Sequence, residues 1–215
     1  MNFTGYVKDT YNLYKKNIVL GFAYGILKNI LVLVNAIPII GVYIYSYYYP
    51  RLLVWYYQKL SGEKLNPNYK VSFISIFIPQ ILQNILLFVS FLVIIYFYLS
   101  SYFLTFKYSF SSLLSGLSIS YSIMLGISFL IYLFSLYSFY GSLYGKVDKY
   151  NFEVNNSSIL FFNILSLSLV FGIIEILVSL IVLINTLLLI VPILIWILFF
   201  TSILDLLPMI VIKDM

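Results

Sequence analysis

Two charged residues stand inside long apolar stretches and are the first candidates for chemistry. Lys28 and Glu175 each interrupt a segment rich in Ile, Leu, Val and Phe. A charge in such a segment needs water or a partner, because hydrocarbon does not solvate it. On a helix, each shares one face with small or polar residues: Gly21, Gly25 and Asn35 accompany Lys28, and Ser168, Gly172 and Ser179 accompany Glu175.

These two stripes predict an ion pair inside a helical bundle. Counted from the turns that follow them at 1.5 Å per residue, Lys28 and Glu175 differ in depth by about 5 Å, which a lysine side chain can span. We therefore expect Lys28 to pair with Glu175 across a close contact between the first and fifth apolar segments. Two interpretations remain open: a structural pair that determines which helices touch, and a switchable pair on an ion or proton path.

A second polar group is expected nearer the cytoplasmic side. Its members are the charged residues Arg51 and Asp205 and the amides Gln80, Gln83 and Asn84. Together they would line a polar vestibule. In the simpler interpretation, Arg51 and Asp205 reach the headgroups or pair with each other, and the amides bind neighbouring helices.

Small residues predict close helix packing. Gly21 and Gly25 form one G-x-x-x-G motif and Gly141 and Gly145 form another, and this spacing lets helix backbones approach each other. Ser168, Gly172 and Ser179 extend the prediction to the fifth segment. The fourth segment carries one face of serines, namely Ser128, Ser135, Ser138 and Ser142. Helix packing is the main interpretation of this face, and a polar wall along a translocation path is the alternative.

Several classes of chemistry find no support in the sequence. The chain has no Cys and no His, which excludes thiol catalysis, cysteine-ligated metals and the commonest general base. It has no nucleotide-binding or hydrolase motif. We predict no catalytic residue, no cofactor and no metal site. The net charge of +5 comes from scattered lysines rather than a dense basic face, so no nucleic-acid partner is expected.

Composition identifies the protein class. Hydrophobic residues make up 63% of the 215 positions and charged residues 9%, with a mean hydropathy of +1.05. These values predict an all-α integral membrane protein. Apolar runs of about 20 residues suit six transmembrane helices, at about 18–36, 38–58, 74–100, 119–140, 159–184 and 187–208, with short external turns. Alternatively, residues from 187 form a re-entrant segment ending at Pro192.

The distribution of cations predicts the orientation. With the N-terminus inside, ten of the twelve Lys and Arg residues fall on the cytoplasmic side, and only Lys28 and Lys107 do not. The positive-inside rule therefore favours N-in and C-in. Residues 1–17 form a cytoplasmic segment with a possible interfacial helix, residues 18–212 the membrane domain, and 213–215 a cytoplasmic tail.

The first third of the chain resembles a known group of proteins. The run from Gly41 through Arg51 to Gly62-Glu-Lys-Leu65-Asn-Pro67 resembles a family of prokaryotic, largely archaeal, polytopic membrane proteins of unknown function. The resemblance implies the same architecture and implies nothing about activity.

Two functions are predicted as alternatives. In the first, the chain is a cell-membrane subunit or scaffold whose partners are the lipid bilayer and other membrane subunits or a second copy. In the second, it is a small transporter or channel-like protein whose path is lined by Lys28, Glu175, Arg51 and Asp205.

Overall fold

The computed structural model describes residues 2–103, 110–182 and 190–215, and these residues are helical with short connections. The helices, numbered in chain order, are α1 Phe3–Lys15, α2 Ile18–Asn35, α3 Ile40–Ser61, α4 Tyr69–Phe103, α5 Phe110–Leu143, α6 Val154–Val182, α7 Ile190–Ile195 and α8 Thr201–Asp214. A π-helical turn, Trp196–Phe200, joins α7 to α8.

The all-α class is confirmed for the described residues. Three of their helical stretches are long and apolar enough to cross a membrane by length and composition: Ile18–Asn35, Gly126–Leu143 and Val154–Val178. The described residues of each of the six predicted apolar segments lie mainly on one helix, or on α7, the π-helical turn and α8 for the sixth. The helices α4 and α5, with 35 and 34 residues, extend beyond both predicted bounds. The 29-residue helix α6 begins five residues before its predicted segment, whereas α2 has only 18 residues.

Local sequence explains where the first helices begin and end. The side chains of Asn2 and Asn17 accept hydrogen bonds from Gly5 N and Leu20 N, so they cap α1 and α2. Gly62 ends α3 with a φ of 74°, a conformation that costs glycine little. The predicted interfacial helix therefore corresponds to α1, which two polar residues, Lys16 and Asn17, separate from α2.

The turn between α2 and α3 is strained. Ile39 adopts a φ of 64° and a ψ of −64°, and Ile40 N donates to Pro38 O at 2.7 Å. Such a γ-turn is uncommon for a β-branched residue. Gly41 follows, and a Cβ there would lie 2.0 Å from the Val34 carbonyl oxygen. This close approach requires glycine.

Four parts of the chain meet at one end of the bundle, which we call the polar end: α1, the loop 62–68, the loop 144–153 and the last turn of α8. Lys213 at the end of α8 forms an ion pair with Glu63. Lys146 donates to the carbonyl oxygens of Ile212 and Lys213 at 2.7 and 3.0 Å. Asn68 N donates to Ser142 O at 2.8 Å.

The loop 144–153 folds back along α5 and forms hydrogen bonds with serine side chains of that helix. Ser138 Oγ accepts from Asn151 N at 3.1 Å, and Ser135 Oγ lies 3.0 Å from the Tyr150 hydroxyl. Ser142 Oγ lies 2.7 Å from Ser72 Oγ of α4. These three members of the predicted serine face therefore hold a loop and a neighbouring helix, as the packing interpretation expects.

From residue 190 the chain is helical through Pro192 to Asp214, so the described part shows no re-entrant turn at this proline. Residues 185–186, the break between the predicted segments 159–184 and 187–208, lie outside the described residues. Directly after the π-helical turn, Thr201 Oγ1 donates to Trp196 O at 3.0 Å. This bond gives a partner to a backbone carbonyl oxygen at the point where the helical hydrogen-bond pattern widens. This turn leads directly into the helix that carries Asp205.

Candidate functional site

A buried charge cluster joins α2 to α8. The Lys28 ammonium lies 2.6 Å from Asp205 Oδ2 and donates to Oδ1 at 2.7 Å. The Tyr24 hydroxyl donates to Oδ2 of the same carboxylate. The Asp205 side chain is 7% exposed and that of Lys28 is 16% exposed. Two donors thus satisfy a carboxylate that the interior would otherwise strongly disfavour.

Aromatic rings surround this cluster. The Lys28 ammonium lies 5.4 Å from the centre of the Tyr49 ring, within the range of a cation–π interaction. The rings of Tyr24 and Tyr56 stack at 4.2 Å, and those of Tyr45 and Tyr49 at 5.0 Å. The cluster is therefore enclosed by α2 and α3 as well as by α8.

A second contact holds the same two helices together. Ser202 Oγ donates to Gly21 O at 2.6 Å, one helical turn before Asp205. A Cβ on Gly21 would lie 2.4 Å from Tyr14 Cε2 and 3.1 Å from the Tyr56 hydroxyl. Gly21 is thus the position at which helices α1, α3 and α8 approach α2.

The predicted pairing of Lys28 with Glu175 was wrong, because Asp205 occupies that place. The rings of Phe171 and Phe200 stack at 4.2 Å and align the antiparallel helices α6 and α8. Asp205 lies five residues beyond Phe200, toward the polar end. Glu175 lies four residues beyond Phe171, in the opposite direction along the bundle. At 1.5 Å per residue, the two carboxylates are separated by about 14 Å along the bundle, beyond the reach of one lysine.

Glu175 has a different environment. Its side chain is half-buried, and its Oε2 atom is buried without a hydrogen-bond partner among the described residues. Neighbouring Ile173, Ile176 and Leu177 are exposed. A buried carboxyl oxygen without a hydrogen-bond partner is costly in apolar surroundings, so this group favours a polar partner.

The predicted vestibule does not form as one group. The Arg51 guanidinium packs against the rings of Tyr47 and Tyr69, at 3.7 and 4.7 Å from their centres. Among the described residues, Arg51 and Asp205 do not form an ion pair. Gln83 is exposed, and Asn84 and Gln80 are half-buried. Gln80 Oε1 has no partner within the described chain. No hydrogen bond among the described residues links these amides to either charge.

The remaining small residues have unlike surroundings. Gly25 is buried in α2, and its carbonyl accepts from Asn29 Nδ2 at 2.8 Å. A Cβ on Gly172 would meet no described atom within 4 Å, so the close helix contact predicted there is absent from the described chain. Ser168 is half-buried on α6, and Ser179 lies near its end.

The second G-x-x-x-G motif also does not join two helices. Gly145 ends α5 with a φ of 75°, and a Cβ there would lie 2.6 Å from Asn66 O in the loop 62–68. A Cβ on Gly141 would meet Val147 Cγ2 at 2.6 Å. Both glycines of this motif therefore allow loops, rather than a helix, to pack closely at the polar end.

The polar end carries a second, more exposed set of charges. An open cleft of about 300 Å³ lies there between α1 and α8, and its lining includes Asp9, Lys16, Glu63 and Lys213. The hydrogen bond to Glu63 raises the pKa of Lys213 above its usual value. At neutral pH this lysine is charged and fastens α8 to the loop 62–68.

Tyr24 is the member of the buried cluster that sequence reasoning missed. It precedes Lys28 by four residues, so the helical period alone places its phenol beside the ammonium. The resulting set brings an ammonium, a carboxylate and a phenol together, and no second carboxylate of the described residues is bonded to it. Among the described residues, no group of three His, Cys, Asp or Glu side chains could hold a metal ion.

Comparison with protein families, with curated proteins and with solved structures finds no match to this chain. The resemblance of the first third to prokaryotic membrane proteins therefore stays a prediction.

Proposed function

We propose that the protein is a six-span membrane protein with both ends in the cytoplasm that serves as an embedded subunit of a larger assembly. Three stretches have the length and composition of membrane spans. The N-terminal helix, both long polar loops and the end of α8 share one end of the bundle. An even number of crossings produces this arrangement, and the lysines at the polar end favour a cytoplasmic location.

The observation that carries the subunit role is the carboxyl group of Glu175. One of its oxygens is buried without a partner in the described chain, while the side chain as a whole remains half-exposed on a helix with an apolar outer surface. A helix of another subunit with an amide, hydroxyl or basic side chain at this depth would satisfy the carboxyl group. Lys28 cannot do so, because it is paired with Asp205.

Native mass spectrometry after affinity purification in mild detergent tests this role. We expect the chain to co-purify with a second subunit in fixed stoichiometry, and Glu175→Leu to lose that subunit while Glu175→Gln retains it. Glu153→Gln, which removes the carboxylate of the loop residue just before α6, is the matched control and should keep the complex. Recovery of the wild-type chain alone, or a complex unaffected by Glu175→Leu, would contradict the subunit role.

Because the sequence contains no cysteine, a single introduced cysteine is the only thiol of the chain, and its labelling tests the topology. Single cysteines at Lys64 and Lys107 can be labelled in intact cells with a thiol reagent that does not cross membranes. We expect Lys107→Cys to react and Lys64→Cys to react only after the cells are opened. The reverse result would invert the orientation, and equal labelling would contradict an odd number of crossings between the two positions.

A small transporter is the second candidate, and the buried cluster of Lys28, Asp205 and Tyr24 favours it. One of its members, Asp205, lies five residues beyond a π-turn, a feature that often marks functional sites in helices. Purified protein in liposomes should then dissipate a pH gradient faster than Asp205→Asn does. Equal proton flux in liposomes with wild type, variant and no protein would exclude this candidate.

A further inference from the structure

Two stripes of side chains form an aromatic seam between α3 and α4. The stripe on α3 consists of Tyr43, Tyr47 and Arg51, and that on α4 consists of Tyr69, Phe73 and Phe77. Each stripe repeats every four residues, so its members share one helical face. We use the name aromatic seam for these six residues.

Ring contacts connect the two stripes along their length. The Tyr43 ring lies 5.5 Å from Phe73 and 6.4 Å from Phe77. Arg51 meets Tyr69 at the other end. Tyr43 and Arg51 are eight positions apart, which corresponds to about 12 Å along the helix, a length comparable to a large part of one leaflet's hydrocarbon. Tyr43 and Tyr47 are exposed, at 54% and 38%.

Arg51 ends the seam as a cation without an acidic partner. Its guanidinium lies 3.7 Å from the centre of the Tyr47 ring, and one of its N–H groups donates to the Tyr47 carbonyl oxygen. A guanidinium has five N–H donors, and the described residues supply no carboxylate within ion-pair distance. The two rings fix its plane and leave its remaining donors available for an oxyanion.

We propose that the aromatic seam binds one anionic phospholipid, with the phosphate on Arg51 and an acyl chain along Tyr47, Tyr43 and Phe77. Arginine matches phosphate through paired N–H groups, and the faces of the aromatic rings suit contact with a hydrocarbon chain. Arg51 precedes the end of α3 at Ser61 by ten residues, and its contact with Tyr69 places it level with the start of α4. This depth suits a headgroup in the leaflet at the polar end.

The proposal rests on the membrane embedding of the proposed function, and the two can fail separately. Resistance of the chain to extraction from membranes by alkaline carbonate tests the embedding alone. A chain that resists extraction yet shows no lipid preference would overturn only the lipid site.

Thermal unfolding of the full chain in detergent, with added dioleoyl phosphatidylglycerol, tests the lipid site. We expect phosphatidylglycerol to raise the Tm of the wild type, and equal amounts of phosphatidylcholine or inorganic phosphate to do much less. Arg51→Gln should weaken the apparent affinity for phosphatidylglycerol at least about tenfold, the loss of about 1.4 kcal/mol expected when a charged hydrogen bond is removed. Arg51→Lys, which keeps the charge without the planar donors, should fall between.

Lys64→Gln is the matched control, since it removes another cation at the same end without touching the seam, and should bind like the wild type. Should Arg51→Gln fail to fold, the comparison of Arg51→Lys with the wild type decides the question. The proposal is overturned if wild type and Arg51 variants respond alike, if phosphatidylcholine is equally effective, or if inorganic phosphate alone reproduces the shift.

Discussion

The ammonium of Lys28 and the carboxylate of Asp205 lie 2.6 Å apart although 177 residues separate them in the chain. The contact connects α2 to α8, and the Tyr24 hydroxyl completes it. Because both charges are largely buried, neither can be lost without leaving the other in surroundings that do not solvate it. The first prediction follows from this dependence.

Neutralising one member of the pair should destabilise the protein more than neutralising both. Lys28→Met or Asp205→Asn alone should each cost about 3–5 kcal/mol, because an unpaired buried charge remains, whereas the double variant should recover a large part of that loss. The free energy of unfolding in micelles gives the coupling. The control is Lys28→Met combined with Glu175→Gln, for which the two losses of unfolding free energy should add. Coupling between Lys28 and Glu175, without coupling between Lys28 and Asp205, would refute the assigned pair.

Removing the Tyr24 hydroxyl should weaken the cluster measurably. Tyr24→Phe keeps the stacked ring but removes a donor to a carboxylate, so we expect a loss of about 1.5–3 kcal/mol in unfolding free energy. Tyr45→Phe removes a hydroxyl from the same group of rings without touching Asp205, and should cost clearly less. Equal losses for the two variants would show that the hydroxyl of Tyr24 has no special role.

The glycines of two predicted packing stripes should respond differently to a methyl group. Gly21→Ala would place a Cβ 2.4 Å from the Tyr14 ring, so the ring must move and we expect a loss of about 1–3 kcal/mol. Gly172→Ala meets no described atom within 4 Å and should be neutral or stabilising by up to about 1 kcal/mol, since alanine favours helix. Thermal unfolding of both variants decides whether the contact around Gly21 is as tight as described.

The strain at Ile39 predicts a stabilising substitution. Because its φ is 64°, Ile39→Gly should relieve strain of about 1–3 kcal/mol, partly offset by the greater freedom of glycine in the unfolded chain. We expect a higher Tm. Ile37→Gly, two residues earlier and without positive φ, should lower the Tm instead, and a parallel drop for both variants would argue against strain at Ile39.

The ion pair between Lys213 and Glu63 predicts a pH dependence at the polar end. The hydrogen bond to Glu63 raises the pKa of Lys213 above 10.5, so its stabilising effect is fully present below pH 10.5 and is lost as the pH rises through the raised pKa. Both side chains are well exposed, which limits the effect to about 0.5 kcal/mol.

Unfolding free energies at pH 7 and above pH 11 measure this effect. Lys213→Gln should be less stable than the wild type at pH 7 and indistinguishable from it at the higher pH. Lys59→Gln, at another exposed lysine near the same loop, should show no such convergence. A deficit for Lys213→Gln that persists at high pH would assign its cause to packing rather than charge.

The helices could be predicted from the sequence, because apolar runs of about 20 residues and their polar breaks are local signals. Asn17 and Gly62 mark helix ends for the same reason. The partner of Lys28 could not be predicted by counting from the distal turns, because α2 is much shorter than α4, α5 and α6. Depth is instead set by contacts such as Phe171 with Phe200, which no local pattern encodes.

The glycine motifs illustrate the same limit. The spacing of Gly141 and Gly145 matches that of Gly21 and Gly25, yet Gly141 and Gly145 lie against loops, whereas Gly21 lies against neighbouring helices. Whether a small residue faces a helix, a loop or an open surface depends on connections elsewhere in the chain. The positive φ of Gly145 is a local feature of a helix end, and its position before a polar loop was the available signal for it.

The position of Asp205 in the final helix has a consequence for biosynthesis. Lys28 emerges from the ribosome 177 residues before its partner, a delay of about 10–35 s at ordinary elongation rates. Throughout that interval the ammonium of the nascent chain lacks this carboxylate and needs water or another polar partner. The contact between α2 and α8 therefore waits for the synthesis of α8, and a translation product that stops before Asp205 would leave Lys28 without its carboxylate.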